Sequence, residues 1–184
     1  PRFTWKFNAT QKNVVQTGYQ VQVYQGKQLV WDSEKQNSDQ SVYVVYNGKP
    51  LESNTNYKWN VKVWTNVDKQ PLKANSQFHT ALMHVTDWKA KWIVPGFTES
   101  KERPSPIFRK EFALGKKVKS AFAYITAHGM YEASINGKRV GDAYLTPGWT
   151  SYNKRLQFQT FDVTSMLQKG NNAIGVTLGS MVTS

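Results

Sequence analysis

The sequence contains no cysteine among its 184 residues. This absence excludes disulfide bonds, a thiol nucleophile and any metal site with cysteine ligands. The three histidines, His79, His84 and His128, are scattered, and no pair has the spacing of metal ligands on one element. A zinc site or a Ser-His-Asp triad is therefore not expected, and no glycine-rich stretch has the strand and helix context of a phosphate-binding loop.

Long apolar runs are also missing. No run approaches the ~20 residues that a membrane-spanning helix needs, so no membrane span is expected. A secretory signal is absent too, but the chain begins at Pro1 rather than Met. We expect the chain to be a piece of a longer protein, and the missing signal then says little about the compartment of that protein.

Acidic residues are few, with 12 Asp and Glu against 24 Lys and Arg and a net charge of +12. The excess is even, because residues 1–92 and residues 93–184 each carry twelve basic and six acidic side chains. Binding of nucleic acid calls for basic residues gathered on one face or one element. The densest cluster is Lys116, Lys117 and Lys119, which we assign to a loop, so the charge indicates a solvated surface and no nucleic-acid partner.

Aromatic residues are abundant, with seven Trp and nine Tyr. Residues 1–84 combine them with short segments in which apolar and polar residues alternate, the signature of strands with one buried face. The clearest inward set is Tyr57, Trp59, Val61 and Val63, with Trp59 as a core anchor. Turn-forming residues separate the segments, and the pattern predicts an antiparallel β-sandwich over residues 1–84.

Residues 85–106 form the predicted linker. Trp88 and Trp92 are four residues apart, a spacing that suits either a helix or two rings at a junction between domains. A polar stretch from Thr98 to Ser105 follows and is interpreted as an exposed loop. We interpret Glu99 and Glu102 in it as a solvated pair rather than a catalytic dyad.

Residues 107–184 return to short strands, predicted at 107–112, 120–126, 131–135, 139–140, 156–161 and 172–178. Asn136-Gly137 is the strongest hairpin signal, because both central positions of such a turn need positive φ. A helical turn at 162–167, capped by Asp162, is expected before the last strand. Six strands are fewer than the eight or so of a jelly roll, so we expect a partial jelly roll with an exposed sheet edge that favours association.

The stretch from Tyr131 to Arg155 gathers the candidate binding residues. Sugar recognition needs flat aromatic faces and planar polar groups, and these types occur together at Asp142, Trp149, Tyr152, Asn153 and Arg155. The alternative interpretation is structural. In it, Trp149 plugs the end of the sandwich and Arg155 pairs with Asp142 to pin the loop.

Catalysis is not expected in this stretch. Hydrolysis by a pair of carboxyl groups needs one protonated and one ionised acid, ~6.5–9.5 Å apart where a water attacks between them. The available acids are Glu132 and Asp142. Glu132 is predicted to point away from the core, and Asp142 follows Gly141 at a hairpin end, where it can cap a turn.

Stretches in both halves of the sequence resemble a known family. The stretch GMYEASINGKRVGDAYLTPGWTSYNKRLQFQTFDVTSMLQKGNNAIGVTLG is similar to the N-terminal domain of bacterial α-L-rhamnosidases. The segments PRFTWKF, GYQVQVYQ, LVWDSEK, YKWNVKVW and DWKAKWI resemble the fibronectin type III-like domain that precedes it. The resemblance covers essentially the whole chain and implies an all-β fold, with a fibronectin type III-like sandwich followed by a partial jelly roll of carbohydrate-binding-module type.

The resemblance also implies a role. In the family these domains precede a catalytic helical barrel that hydrolyses terminal α-L-rhamnose with inversion, so this chain is expected to be a non-catalytic fragment that supports the barrel. It could further hold a rhamnose-containing polysaccharide or glycoside; the alternatives are a purely structural spacer and a cell-surface adhesion module that binds protein. A parent that degrades polysaccharide favours a periplasmic or extracellular location. Some relatives bind rhamnose through calcium, which leaves calcium as an alternative, but here Asp142 is the one nearby carboxylate, so no cofactor is predicted.

Overall fold

The computed structural model describes residues 1–97 and 105–179, and the chain divides into two compact units, Pro1–Ala90 and Lys91–Ser184. Most of the loop predicted at 98–105, with Glu99 and Glu102, lies outside the described residues, as does 180–184. Within the described ranges, no helix is long and apolar enough to cross a bilayer.

The first unit is built from antiparallel strands in two sheets. Val21, Val23, Tyr57, Val61 and Val63 are buried on one face of the larger sheet, as the alternation predicts. The small sheet has the order β1-β4 and the large sheet β3-β2-β5-β6. The strands are β1 (Arg2–Phe3), β2 (Gln16–Gln25), β3 (Gln28–Asp32), β4 (Val44–Val45), β5 (Asn56–Thr65) and β6 (Leu72–His79).

Phe3 joins the two sheets of this unit. Its ring centroid lies 4.8 Å from that of Trp59 on β5, 6.0 Å from Trp31 on β3 and 6.1 Å from Phe78 on β6. Trp59 itself is half-buried and packs against the core cluster. The predicted anchoring role of Trp59 is confirmed, with Phe3 as its partner in the opposite sheet.

A polar cluster covers part of the outer face of the large sheet. Gln20 and Gln22 donate hydrogen bonds from their amides to the Asp32 carboxylate at 2.7–3.0 Å. Lys62 donates to the Gln20 amide oxygen at 3.3 Å. Partial burial raises the pKa of Asp32, but these amides, the Glu34 backbone and the Lys62 charge outweigh it, so the net pKa lies below its usual value.

The end of the first unit contains a short 3-10 helix, Val85–Asp87. The Asp87 carboxylate accepts hydrogen bonds from the His84 backbone N–H at 2.9 Å and from the Ser53 hydroxyl at 2.5 Å. The helix ends before Trp88, so Trp88 and Trp92 are not on a helix. Of the two interpretations of their spacing, the helical one is wrong.

The second unit also consists of antiparallel strands in two sheets. The larger has the order β10-β9-β12-β7, and the smaller pairs β11 with β8. The predicted strands are present with shifted ends, and the predicted helical turn is a 3-10 helix at Thr164–Met166 whose first N–H is bonded by the Asp162 carboxylate at 2.9 Å. The strands are β7 (Ile107–Leu114), β8 (Phe122–Ile125), β9 (Met130–Ile135), β10 (Lys138–Arg139), β11 (Gln159–Asp162) and β12 (Gly170–Gly179).

The hairpin between β9 and β10 is confirmed at Asn136-Gly137, with φ of 52° and 78°. The Asn136 side chain also fastens the turn to the rest of the unit. Its amide nitrogen donates to Asn172 Oδ1 and to the Met166 carbonyl, each at 2.9 Å, and its oxygen accepts from the Ala173 N–H at 2.9 Å. Tyr131, Ala133 and Ile135 of β9 are buried against β12, so the hairpin is rooted in the core.

The lowered pKa of Asp32 predicts an acid sensitivity of the first unit. A carboxylate whose folded pKa lies below its unfolded value contributes stability that is present above the unfolded pKa and lost as pH falls through the folded one. Between pH 7 and pH 2 the free energy of unfolding should therefore fall more steeply in the native chain than in Asp32→Asn. Urea titrations at each pH measure the difference. Equal slopes in the two proteins would contradict this account of the Asp32 cluster.

A pair of glycine substitutions separates backbone strain from packing in the second unit. Gly137 and Gly141 both have positive φ, 78° and 72°, so alanine at either should cost about 1–2 kcal/mol. A methyl group at Gly137 meets nothing, whereas one at Gly141 meets the Phe161 ring. Gly141→Ala should therefore be more destabilising than Gly137→Ala by about 1–3 kcal/mol. Urea unfolding compares the two, and equal losses would mean that Phe161 moves aside freely.

Candidate functional site

The candidate site is the loop between β10 and β11, residues 140–158, here called the aromatic loop. It leaves the hairpin at Val140 and Gly141. Val140 is buried and its N–H donates to the Ala133 carbonyl at 2.8 Å, so the start of the loop is fixed to β9. Gly141 then allows the chain to pass against Phe161, where no side chain would fit.

The middle of the aromatic loop is anchored to β9 and β11. The Tyr131 N–H donates to the Thr146 carbonyl at 2.8 Å, and the Thr146 hydroxyl returns a bond to the Tyr131 carbonyl at 3.0 Å. The Gln159 amide donates to the Pro147 carbonyl at 3.1 Å, while its oxygen accepts from the Tyr131 hydroxyl at 3.0 Å. Thr146 is buried, so these bonds form away from solvent and hold Thr146-Pro147, a cis peptide, in one position.

Around this anchor the loop exposes three large apolar side chains. Tyr144, Leu145 and Trp149 are 79%, 72% and 69% exposed. Leu145 also has a φ of 55°, a conformation that is costly for a side chain of its size. The structural alternative in which Trp149 plugs the end of the sandwich is therefore wrong, because the ring faces solvent.

Arg139 positions Tyr144. The guanidinium lies 4.3 Å from the centre of the Tyr144 ring, a cation–π contact. The same group donates to the Ala143 carbonyl at 2.7 Å and forms an ion pair with Glu132 at 3.0 Å. Glu132 thus points away from the core, as predicted, and its charge is balanced by Arg139.

The charged candidates Asp142 and Arg155 are both exposed. The described residues contain no ion pair between them, so the predicted pin across the loop is also wrong. The Arg155 backbone instead closes a turn, because its N–H donates to the Ser151 carbonyl at 2.9 Å and its carbonyl accepts from the Thr150 hydroxyl at 2.5 Å. Both charged side chains are left at the surface of the loop, and Asn153 between them is exposed as well.

Tyr152 is placed differently from the other candidates, because it is half-buried and engaged. Its hydroxyl accepts the Gly129 N–H at 3.1 Å, and its ring stacks on His128 with centroids 5.1 Å apart and an angle of 25°. Trp92 meets the same imidazole edge-on at 4.8 Å. One face of the Tyr152 ring is therefore occupied by His128, and the residue fixes the end of the loop to the turn before β9.

The chemical capacity of the loop is for binding. Its acidic group is the exposed Asp142, and the neighbouring Glu132 is committed to Arg139. In the described ranges no three His, Asp or Glu side chains come together as a group that could hold a metal ion. Calcium needs six to eight oxygen ligands. One loop carboxylate does not fit that requirement, so no role is assigned to calcium.

Sequence reasoning missed the two most exposed members of this surface, Tyr144 and Leu145. It also missed Arg139, which holds Tyr144, and the pair His128 and Trp92 behind Tyr152. A signal existed for the first two, since two adjacent large apolar residues just upstream of Thr146-Pro147, within a polar loop, are unlike a solvated turn. No local pattern indicates the contacts of His128, because they join residues distant in sequence.

Comparison with known proteins identifies both units. Residues 1–84 match the family model described as "Rha78A-like, N-terminal immunoglobulin domain", and residues 116–182 match "Alpha-L-rhamnosidase N-terminal domain". Immunoglobulin and fibronectin type III domains share the sandwich architecture, so the first match agrees with the expected fold. The second match includes the whole aromatic loop.

Individual relatives agree with these matches. An alpha-L-rhamnosidase of Formosa agariphila is 38% identical over 96% of this chain and 21% of its own length, and one of Alteromonas sp. is 36% identical over 95% and 21%. The solved alpha-L-rhamnosidase of Dictyoglumus thermophilum superposes with a TM-score of 0.84 at 37% identity, over 96% of this chain and 22% of that one.

The chain thus spans about a fifth of the length of the relatives it matches. Both family models describe N-terminal domains. The relatives are named alpha-L-rhamnosidases, the family that the second model also names. The chain belongs to the alpha-L-rhamnosidase family and corresponds to the N-terminal region of its members, with an immunoglobulin-like domain followed by an alpha-L-rhamnosidase N-terminal domain.

Proposed function

We propose that this chain is a non-catalytic accessory region of an α-L-rhamnosidase and that its aromatic loop contacts rhamnose-containing glycan. The observation that carries the proposal is a rigidly anchored loop with exposed aromatic rings, in a region that matches rhamnosidases. In such an enzyme the region would support the catalytic domain and present the loop to substrate. A glycan of this kind is met outside the cell or in the periplasm, which is the location we propose.

The acids of the chain argue for an accessory role. Inverting hydrolysis requires one protonated and one ionised carboxyl across the glycosidic bond. Near the aromatic loop the pair would be Glu132 and Asp142, and Glu132 is already engaged in an ion pair with Arg139 at 3.0 Å. Hydrolysis of rhamnosides by this chain alone is therefore not expected, and the acids for it would come from the rest of the parent enzyme.

The exposed groups suit a deoxy sugar. Rhamnose carries a methyl group at C5 and C–H patches on its ring, which pack against flat apolar surfaces such as Trp149 and Tyr144. Its hydroxyl groups pair with planar polar groups, and Asp142, Asn153 and Arg155 are exposed along the same loop. The Thr146 anchor lowers the ordering cost of binding, because the backbone is already fixed.

A second candidate function rests on the same exposed surface. Tyr144, Leu145 and Trp149 are strongly exposed apolar side chains within six residues, and such surfaces also mark contacts between proteins. In that case the loop docks on the rest of the enzyme and the region is a spacer. A cell-surface adhesion module would instead bind a separate protein.

Titration with L-rhamnose tests the sugar proposal. The native chain should show NMR shifts in the aromatic loop at millimolar rhamnose. Trp149→Ala should fold normally, because the ring is exposed, and should bind about tenfold more weakly, which corresponds to about 1.4 kcal/mol. The matched control is Tyr43→Ala, which removes an equally exposed ring from the first unit and should leave binding unchanged.

Two outcomes decide against sugar contact. No shifts at millimolar rhamnose, with or without calcium, would reject it and leave the docking role. Equal losses in Trp149→Ala and Tyr43→Ala would place binding elsewhere. Release of a chromophore from a rhamnoside by the chain alone would overturn the non-catalytic role.

A further inference from the structure

The outer face of the large sheet in the first unit carries an ordered set of amides and lysines. Directly opposite residues of antiparallel strands point to the same side of a sheet, and alternate residues of one strand share a side. All nine side chains of the rows described here are exposed or half-buried, so the face is open to solvent. The rows cross from β2 through β5 to β6 and consist of Gln20, Lys62 and Lys73; Gln22, Asn60 and Asn75; and Tyr24, Lys58 and Gln77.

Two of these lysines are placed unfavourably for the sheet alone. Lys62 and Lys73 lie directly opposite each other, and like charges in that arrangement are destabilising. The Lys62 ammonium reaches toward β2, where it donates to the Gln20 amide oxygen at 3.3 Å. Lys73 is exposed, and its ammonium makes no hydrogen bond or ion pair within the described residues. A negative group between the two ammonium groups would relieve their repulsion.

A shallow cleft of about 230 Å³ opens at this pair of lysines. Its floor is the paired Val61 and Ala74, whose side chains point to the opposite face of the sheet. The cleft is smaller than the ~300–1,000 Å³ of pockets for drug-sized ligands, so it suits one sugar ring or one small anion. The side chains around it, here called the amide cleft, are those of Gln22, Asn60, Lys62, Lys73 and Asn75.

The charges and hydrogen-bonding groups of the amide cleft favour an anion. Among the described residues its lining comprises two lysines and three amides, without a carboxylate. The Asp32 carboxylate is paired with Gln22 on the side away from β5 and accepts the amide hydrogens of Gln20 and Gln22. The side-chain amides of Asn60 and Asn75 make no hydrogen bond in the described part of the chain, so they are available to a ligand.

We propose that the amide cleft binds an acidic sugar residue of a polysaccharide. The anionic group lies between Lys62 and Lys73, because each ammonium supplies charge and hydrogen-bond donors. The sugar hydroxyls pair with the amides of Asn60 and Asn75, since an amide offers both a donor and an acceptor. The proposal does not depend on sugar binding by the aromatic loop, which belongs to the other unit.

The side chains of the amide cleft distinguish this ligand from two other anionic partners. Nucleic acid without a defined sequence is held by aromatic rings on which its bases stack, and the cleft has no ring in its described lining. A protein partner is usually held by a buried aromatic or arginine anchor in an apolar pocket, and the side chains around the cleft are polar. Amides beside lysines instead match hydroxyl groups beside a negative charge.

Titration of residues 1–184 with a trimer of galacturonic acid tests the proposal. The side-chain amide resonances of Asn60 and Asn75 should shift at millimolar trimer. Lys73→Gln should weaken binding about tenfold, because it removes a charge-assisted hydrogen bond. The matched control is Lys12→Gln, which removes an exposed charge from a loop of the same unit and should leave the affinity nearly unchanged. The methyl-esterified trimer has the same rings without the charges and should bind at least tenfold more weakly.

Four results would overturn the proposal. Absence of shifts in the amide cleft, including shifts confined to the aromatic loop, would remove the site. Equal binding of the methyl ester would show that the charge is not recognised. Competition by inorganic sulfate at the concentration of the trimer would leave an adventitious ion only. Tighter binding of a capped peptide of three aspartates, or of an oligonucleotide of equal charge, would assign the cleft to protein or nucleic acid.

The pair of like charges has a separate test in the free chain. Lys73→Gln should raise the urea midpoint, because it removes the repulsion with Lys62, whereas Lys12→Gln should leave the midpoint unchanged. Saturating trimer should stabilise the native chain and Lys12→Gln more than Lys73→Gln, since ligand binding to the folded state adds to stability in proportion to affinity. Equal midpoints of the two variants without trimer would contradict the crowding of charge on which the proposed site rests.

Discussion

The reciprocal hydrogen bonds between Tyr131 and Thr146 are the constraint on which the candidate site depends. Tyr131 belongs to β9, which is paired with β12 and buried in the second core, so the bonds transfer the rigidity of that sheet to an otherwise irregular loop. Burial raises the pKa of the Tyr131 phenol, so its hydroxyl stays protonated and keeps donating to Gln159. Gln159 in turn holds the Pro147 carbonyl, and the loop is fixed from two strands at once.

This anchoring explains how the loop tolerates residues that folding does not favour. Exposed Tyr144, Leu145 and Trp149 contribute little to the stability of the unit, and Leu145 adopts a backbone conformation that costs about 1 kcal/mol. Exposed apolar side chains and a strained backbone persist when the surrounding structure holds them in place. Packing within the described unit does not account for three exposed apolar side chains in six residues, and such groups are typical of surfaces that contact a partner.

Most of the fold is predictable from the sequence, because apolar and polar residues alternate along the strands. Tyr57, Val61 and Val63 were identifiable as buried from period two alone, and Asn136-Gly137 from the backbone conformation that its turn requires. The Asn136 side chain was not predictable as a fastener, because its partners Met166 and Asn172 are about thirty or more residues away. Local pattern specifies strands and turns, but it does not specify which distant groups meet.

The candidate site was predictable to the same extent. Residue types at Asp142, Trp149 and Arg155 indicated a polar and aromatic surface, and the three side chains are exposed on one loop. The pairing of Asp142 with Arg155 was wrong, since both side chains are exposed and no ion pair joins them in the described residues, while the Arg155 backbone closes a turn with Ser151 and Thr150. Complementary charge in a sequence allows an ion pair, but the loop backbone decides whether the two groups can meet.

The two units also treat their sheet edges differently. The sequence favoured an open edge in the second unit, and β7 does pair with β12 alone among the described strands. That edge strand carries Arg109, Lys110 and Glu111, all exposed, and charged side chains are a usual protection against further pairing. The edge strand β6 of the first unit instead carries Lys73 among exposed neutral residues, from Leu72 to Gln77. An edge with charge along it is suited to remain in water, so β7 is better protected against further pairing than β6.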